Sequence, residues 1–150
     1  MRKNIRLRVK NLINKYNTSD PFILCKKLGI IVVSCDLGNL KGYYKHSYGK
    51  KVIVINSIFS AFKQKIILAH ELGHAVLHSS STVALMHNHI LQYGNAIENE
   101  ANKFAAELLM NGYNTDNIEY CDYFCDEIST DEDDRKLLNQ LRELKFSNKY

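Results

Sequence analysis

The residues best suited to chemistry are His70, Glu71 and His74, within the sequence His-Glu-Leu-Gly-His. On a helix, two histidines four residues apart lie one turn apart on the same face. Both imidazoles can then reach a single Zn²⁺ at about 2.0–2.1 Å. Glu71 lies beside such a metal, where it can take a proton from a water molecule on it. The pattern therefore predicts a zinc-dependent peptidase that needs one more protein ligand.

Three parts of the chain could supply that third ligand, because a catalytic zinc site usually takes three protein ligands and leaves one position open. They are a polar loop, the helix after it and the C-terminal tail, which carry His87 and His89, Glu98 and Glu100, and Cys121 and Cys125. Loop histidines are more often surface residues than ligands. The two tail cysteines have no histidine close by in sequence, which is more typical of reduced core thiols.

Helical phase distinguishes the two glutamates. Glu98 precedes Ala101 by three residues and so shares the apolar face of its predicted helix. Glu100 falls on the other side with Lys103 and Glu107, a side that we expect to face solvent. A carboxylate on a buried face is costly unless it is paired or bound to a metal. We therefore expect Glu98 to be the third ligand and Glu100 to be a surface charge.

Four further side chains could support the centre or contact a substrate: Asn102, His78, Tyr43 and Tyr44. Asn102 lies one turn after Glu98, where its amide could orient a ligating histidine. His78 lies one turn after His74, and a structural role is favoured over contact with substrate. A peptidase also needs a donor for the oxyanion. Both tyrosines and His78 remain candidates for that donor.

The hydrophobic pattern predicts an α+β fold in one domain, with a small antiparallel three-stranded sheet packed on helices. The short turns between the strands favour an antiparallel meander. We expect the strand Val52–Ile55 to lie at the edge of the cleft, where it could pair with an extended substrate. The expected parts of the domain 1–150 are helices over 2–28, the sheet over 30–56, site helices over 60–78 and 94–110, and a tail over 113–150.

The central helix is predicted to be buried because it is apolar nearly all round. Gly73 lies inside it, where glycine costs roughly 1 kcal/mol relative to alanine. That cost is tolerable if a side chain at this position would block a neighbouring element or the substrate.

Composition narrows the function classes. The 150 residues are 45% apolar and 24% charged, which is ordinary for a globular protein. We find no apolar stretch of membrane-spanning length and no signal-peptide pattern, so we expect a cytoplasmic protein whose four cysteines are reduced. The net charge of +4 comes without a basic stripe or a helix-turn-helix pattern, so direct nucleic-acid binding is not expected.

Two separated motifs carry a family resemblance. The sequence LAHELGHAVLH (Leu68 to His78) is followed by ENEANKFAAELLM (Glu98 to Met110), and the chain resembles the ImmA/IrrE family of metallopeptidases. The resemblance implies zinc dependence and a zincin-like core similar to that of thermolysin-like enzymes. It also implies a gluzincin-like set in which His70, His74 and Glu98 bind zinc and Glu71 is catalytic.

The resemblance further implies a substrate. Many members of the family are carried by phages and mobile elements and cleave a partner repressor with a helix-turn-helix domain, which releases silenced genes. Others regulate stress responses. An alternative is a non-catalytic, metal-stabilised module that binds and displaces a repressor or DNA. A third possibility is a structural zinc site, which would be closed by four protein ligands.

Overall fold

The structure is a computed structural model that describes residues 4–78, 96–111 and 132–146, with side chains from residue 135 onward in the last segment. The predictions made for His87, His89, Cys121 and Cys125 lie outside the described residues. Among the helices of these three segments, none is both long enough and apolar enough to cross a bilayer.

The described part of the chain contains five helices and three strands, and the predicted α+β class is confirmed. The helices are α1 (Ile5–Tyr16), α2 (Pro21–Lys27), α3 (Ala61–Leu77), α4 (Ala96–Leu109) and α5 (Glu132–Phe146); the strands are β1 (Ile31–Cys35), β2 (Gly42–Ser47) and β3 (Lys50–Asn56).

Side-chain caps determine where three of the helices begin. The side chain of Asn4 accepts a hydrogen bond from a backbone N–H in the first turn of α1, and Ser60 does the same for α3. Asp20 caps α2 in this way, and Pro21 occupies the first helical position. Such caps satisfy N–H groups that have no partner within the helix.

The sheet is mixed, so the predicted antiparallel sheet is wrong. The strand order is β1-β3-β2; β3 pairs antiparallel with β2 and parallel with β1. The tight turn at Tyr48 and Gly49 does form a hairpin between β2 and β3, and both residues have the positive φ that a type I′ turn requires. What differs is β1, which pairs with the far side of β3 instead of with β2.

Asn56, at the end of β3, explains how the chain makes this crossover. It is fully buried, and its amide nitrogen donates to the carbonyl oxygens of Gly38 (3.0 Å) and Leu40 (2.7 Å). Its amide oxygen accepts from the backbone N–H groups of Leu37 (3.3 Å) and Ile58 (3.1 Å). The connection from β1 to β2 is therefore held across the end of β3, which puts the two strands on opposite sides of it.

Burial accounts for β3 being the central strand. Ile53, Val54 and Ile55 are buried, whereas four of the five residues of β1 are exposed. Because both sides of β3 are already paired, the predicted pairing of Val52–Ile55 with a substrate strand is wrong. The outer sides of this sheet belong to β1 and β2.

Helix α3 lies at the centre of the fold and packs against α2, α4, β2 and β3. Gly42 in β2 allows the close approach of the sheet. A Cβ atom at this position would lie 2.7 Å from the Ile67 side chain of α3 and 2.7 Å from the carbonyl oxygen of Val54.

Positively charged side chains cover the C-terminal end of α3. Lys51 donates to the carbonyl oxygen of Ala75 (3.0 Å), and Arg8 donates to that of Val76 (3.3 Å). These carbonyls lie at the negative end of the helix dipole, where cations are favourable. The end of α3 that leads to His78 is thereby tied to β3 and α1.

Helix α5 covers the side of α4 that the sequence predicted to face solvent. Lys103 is 3% exposed, and its ammonium group donates to the carbonyl oxygens of Leu144 (2.6 Å) and Lys145 (2.9 Å). Glu107, 4% exposed, forms ion pairs with Lys103 and Lys145, each at 3.1 Å. The prediction of an exposed face with Lys103 and Glu107 is wrong because these charges are paired beneath α5.

Gly73 lies where α3 and α4 approach each other so closely that even a methyl side chain would crowd the contact. A Cβ atom there would lie 3.1 Å from the Cβ of Phe104 and 3.2 Å from the Cα of Ala101. Both atoms are close to the α4 backbone, so they cannot move aside by a simple side-chain rotation. Two reasons for a glycine were predicted, a close neighbouring element or access for the substrate. The structure supports the first, and the neighbouring element is α4.

We predict that Gly73→Ala lowers the free energy of unfolding by about 1–2 kcal/mol, because overpacking outweighs the roughly 1 kcal/mol gained in helix propensity. Gly73→Val should cost more, since it adds two further methyl groups to the same contact. Urea unfolding followed by circular dichroism measures both. A Gly73→Ala protein more stable than the wild type would contradict this view of the α3–α4 contact.

Candidate metal centre

Helices α3 and α4 bring His70, His74 and Glu98 together. The two imidazole Nε2 atoms are 3.2 Å apart. One carboxylate oxygen of Glu98 lies 3.1 Å from Nε2 of His70, and the other lies 3.2 Å from Nε2 of His74. Both histidines are buried, and Glu98 keeps 17% of its side chain exposed. These three residues form a group that could hold a metal ion.

The spacing of the three residues suits a metal ion such as zinc. With bonds of about 2.0–2.1 Å, the ligand atoms of a tetrahedral zinc site are separated by about 3.3 Å. The two Nε2 atoms are 3.2 Å apart, and each lies 3.1–3.2 Å from a different oxygen of the Glu98 carboxylate; one ligand atom from each residue lies within 4.8 Å of the others. Two imidazoles and one carboxylate are also a donor set that suits zinc and leaves one position for another ligand. The residues therefore fit the ion.

Burial favours the neutral form of His74, which is the form that binds a metal. The pKa of His74 is lowered by its burial, although the hydrogen bond and charge of Glu98 act in the opposite direction. The nearby His70 lowers it further. An imidazole without a second proton keeps a lone pair that is available to a cation.

Glu71 is almost completely buried, with 1% of its surface exposed. Its pKa is raised well above the usual range, chiefly because burial disfavours the charged carboxylate and secondly because Glu98 is negatively charged. A cation among the three donors would oppose both causes. The carboxyl group of Glu71 is therefore shielded from water, and its charge depends on whether a cation is bound among the three donors.

A second layer of polar contacts leads away from His74. Nδ1 of His74 lies 3.1 Å from Nδ1 of His78, and Nε2 of His78 lies 3.2 Å from a carboxylate oxygen of Glu100. Glu100 is therefore bonded to a buried histidine, and its prediction as a surface charge is wrong. Helical phase predicted correctly that Glu100 lies off the helix face that carries Glu98. Glu100 nevertheless has a buried partner, because His78, the residue after the end of α3, contacts its carboxylate.

The two tyrosines behave differently because neighbouring residues on a strand point to opposite faces. Tyr44 is 4% exposed and packs in the hydrophobic core with α3. Among the described residues its buried hydroxyl has no hydrogen-bond partner, and burial raises the pKa of Tyr44. Tyr43 is only partly buried, on the other face of β2.

Asn102 lies on α4 one turn after Glu98 and is 2% exposed. Its hydrogen bond to a ligating histidine stays a prediction. Glu100 is the residue of the site that sequence reasoning missed. The sequence did contain an indication of this contact, since His78 and Glu100 are both polar residues next to the predicted ligands. Spacing along one helix could not link them, because they belong to different elements.

Comparison with known proteins agrees with the geometry. Residues 25–116 match the Peptidase M78 family, described as the IrrE N-terminal-like domain. The chain is 34% identical over 126 residues to "Uncharacterized immunity region protein 2" of Bacillus phage phi105, which covers 83% of this chain and 80% of that protein.

A second relative is named for an activity. The chain is 27% identical over 108 residues to "Metallopeptidase ImmA" of Bacillus subtilis (strain 168), covering 72% of this chain and 64% of that protein, slightly less than two thirds of its length. No solved structure gave a significant match. The family match spans more than half of the chain and includes both motif helices, and it confirms the resemblance found in the sequence. This chain belongs to the Peptidase M78 family of IrrE- and ImmA-like proteins.

Proposed function

We propose that this protein is a zinc-dependent endopeptidase that acts in the cytoplasm on a helix-turn-helix repressor and so relieves repression of mobile-element genes. The observation that carries the proposal is the cluster of His70, His74 and Glu98 with the buried carboxyl of Glu71 next to it. Family membership and the printed name of the Bacillus subtilis relative support the peptidase activity. The phage immunity-region relative supports a substrate among phage regulators.

In this proposal His70, His74 and Glu98 hold the metal in a gluzincin-like arrangement on a zincin-like core. When bound, a zinc ion supplies Lewis acidity, which polarises a peptide carbonyl and makes water more acidic. Glu98 presents both carboxylate oxygens towards the histidines, so it can bind with one or two of them. The partial exposure of Glu98 leaves this side of the cluster open to a substrate.

Glu71 moves the proton. Its carboxylate accepts a proton from the attacking water and later gives it to the amine that leaves the cleaved peptide. Burial suits the first half of this task, because a desolvated carboxylate binds a proton more readily than one in water. The oxyanion needs a separate donor. The buried hydroxyl of Tyr44 still has a hydrogen to donate, and Tyr43 stays a candidate. His78, the third candidate, is less suited because both of its ring nitrogens already have partners.

The non-catalytic alternative would need the metal ligands but not Glu71. No contact among the described residues favours it. A carboxyl group that is almost fully buried and close enough to Glu98 to feel its charge has a use in proton transfer, which displacing a repressor does not require. Measuring zinc binding and repressor cleavage in separate experiments distinguishes metal binding from catalysis.

We predict that the purified chain binds one zinc ion and that Glu98→Ala or His70→Ala weakens zinc binding about a hundredfold or more. Structural zinc sites bind with about 10–16 kcal/mol in total, or roughly 3 kcal/mol for each of four ligands. Competition with a chromophoric chelator measures the affinity. Zinc at a hundred times its dissociation constant should also add about 2.7 kcal/mol to the free energy of unfolding.

Glu143→Ala is the matched control for that experiment, because it removes an exposed carboxylate from another helix, α5. It should bind zinc as the wild type does. Unchanged affinity in both Glu98→Ala and His70→Ala would show that the ion binds elsewhere.

We predict that Glu71→Gln keeps zinc but slows cleavage of a candidate helix-turn-helix repressor by about 10²–10⁴-fold, the usual contribution of a general base. Gel electrophoresis and mass spectrometry of the repressor follow the cleavage, with a chelator-treated sample as the second control. If Glu71→Gln cleaved at the normal rate, the assignment of Glu71 would be wrong. If the wild type released the repressor from its operator without cutting it, the non-catalytic alternative would be correct.

A further inference from the structure

The contacts around His74 continue through His78 to Glu100, and this chain of polar groups has no role in the proposed reaction so far. Its links are the 3.1 Å contact between the two Nδ1 atoms of His74 and His78 and the 3.2 Å contact between Nε2 of His78 and Glu100. We propose that Glu100 and His78 are positioning residues that orient the ring of His74, so that Nε2 of His74 is directed at the metal while Nδ1 donates to His78. This inference rests on the proposed metal site.

The direction of the chain follows from its outer end. A carboxylate can only accept hydrogen bonds, so Nε2 of His78 must carry the proton that it shares with Glu100. In a neutral imidazole the other nitrogen, Nδ1, then has a lone pair and accepts. It can then accept from Nδ1 of His74, 3.1 Å away, when Nε2 of His74 gives its lone pair to a metal and the proton of that ring is on Nδ1.

The inner end of the chain is the metal site. With its proton on Nδ1, neutral His74 has its lone pair on Nε2, the atom that lies 3.2 Å from both Nε2 of His70 and the carboxylate of Glu98. Without a metal, the carboxylate of Glu98 can accept a hydrogen bond from Nε2 of His74. A bound cation takes the place of that proton, and the contacts with His78 and Glu100 then favour the His74 tautomer that is protonated on Nδ1.

Burial keeps this chain from being replaced by water. The side chain of His74 is 4% exposed and that of His78 is 6% exposed, whereas Glu100 is 28% exposed at the outer end. The two rings lie with their centroids 5.3 Å apart, at the end of α3. The backbone N–H of His78 also donates to the carbonyl oxygen of His74 at 2.8 Å, which fixes the two residues relative to each other.

An ordinary partly exposed ion pair would have a different effect. Such a pair contributes about 0–1 kcal/mol to stability and has no reason to influence the affinity for a metal. A group that orients a metal ligand typically changes metal affinity by about 10–100-fold when it is removed. Metal affinity therefore distinguishes a positioning role from a merely structural one.

The first test compares zinc affinities of the full chain by chelator competition. Glu100→Ala and His78→Phe should each bind zinc about 10–100-fold more weakly than the wild type. Glu100→Gln should recover part of the loss, because its amide oxygen can still accept from Nε2 of His78. Glu143→Ala is again the control and should bind normally. If Glu100→Ala and His78→Phe bound zinc as tightly as the wild type, the positioning role would be refuted even though the metal site itself stood.

The second test needs no variant and no cleavage. Long-range ¹H–¹⁵N correlation spectra of the zinc-loaded wild type report which ring nitrogen of each histidine carries a proton. We expect His74 protonated on Nδ1 and His78 protonated on Nε2. A proton on Nδ1 of His78, or coordination of zinc through Nδ1 of His74, would overturn the inference. Because this measurement requires no cleavage, it gives a result even if the proposed peptidase function fails.

Discussion

The close approach of α3 and α4 at Gly73 is the constraint on which the candidate centre depends. The two histidines belong to one helix and the glutamate to the other, so no local sequence preference can bring their donor atoms within 3.1–3.2 Å. The missing Cβ at Gly73 allows Ala101 and Phe104 of α4 to pack against α3 at van der Waals distance. Interiors are packed densely enough for one methyl group to shift such a contact. Gly73 therefore helps to position the neighbouring candidate ligand, His74, relative to α4.

Both helices are held in place by groups outside the centre. A second glycine, Gly42, allows the sheet to approach the opposite side of α3. Lys51 and Arg8 cover the carbonyl groups at its C-terminal end. On the other side, the buried ammonium of Lys103 satisfies the terminal carbonyls of α5 and so joins α4 to it. A buried charge of this kind is tolerated only because every donor direction is used on a hydrogen bond or an ion pair.

Local and periodic features of the fold were predictable from the sequence. Ser60 and Asp20 have side chains that favour the first position of a helix, and each caps a helix there. Helix α3 is buried, as its apolar residues predict. The inward phase of Glu98 depends on helix geometry alone, and the structure brings its carboxylate to both histidines. These features could be predicted because each is decided within about two helical turns.

Features that depend on distant segments were not predictable in the same way. The strand order rests on the buried amide of Asn56, which holds a connection that a simple meander would not have. The supposed solvent face of α4 is covered by α5, which lies more than twenty residues further along the chain. Glu100 was assigned to solvent because its partner, His78, belongs to a different element. In each case a tertiary contact overrode the pattern of one helix or strand.

The candidate centre depends on three features together: the inward direction of Glu98 on α4, the glycine at the contact between the helices, and the burial of Glu71. The most direct test of the account is X-ray absorption at the zinc edge of the zinc-loaded full chain. We predict two imidazole nitrogens and oxygen donors at about 2.0–2.2 Å, with no sulfur. Sulfur at about 2.3 Å, or a third imidazole, would contradict it, because the ion would then be held by cysteines or by additional histidines in a closed structural site.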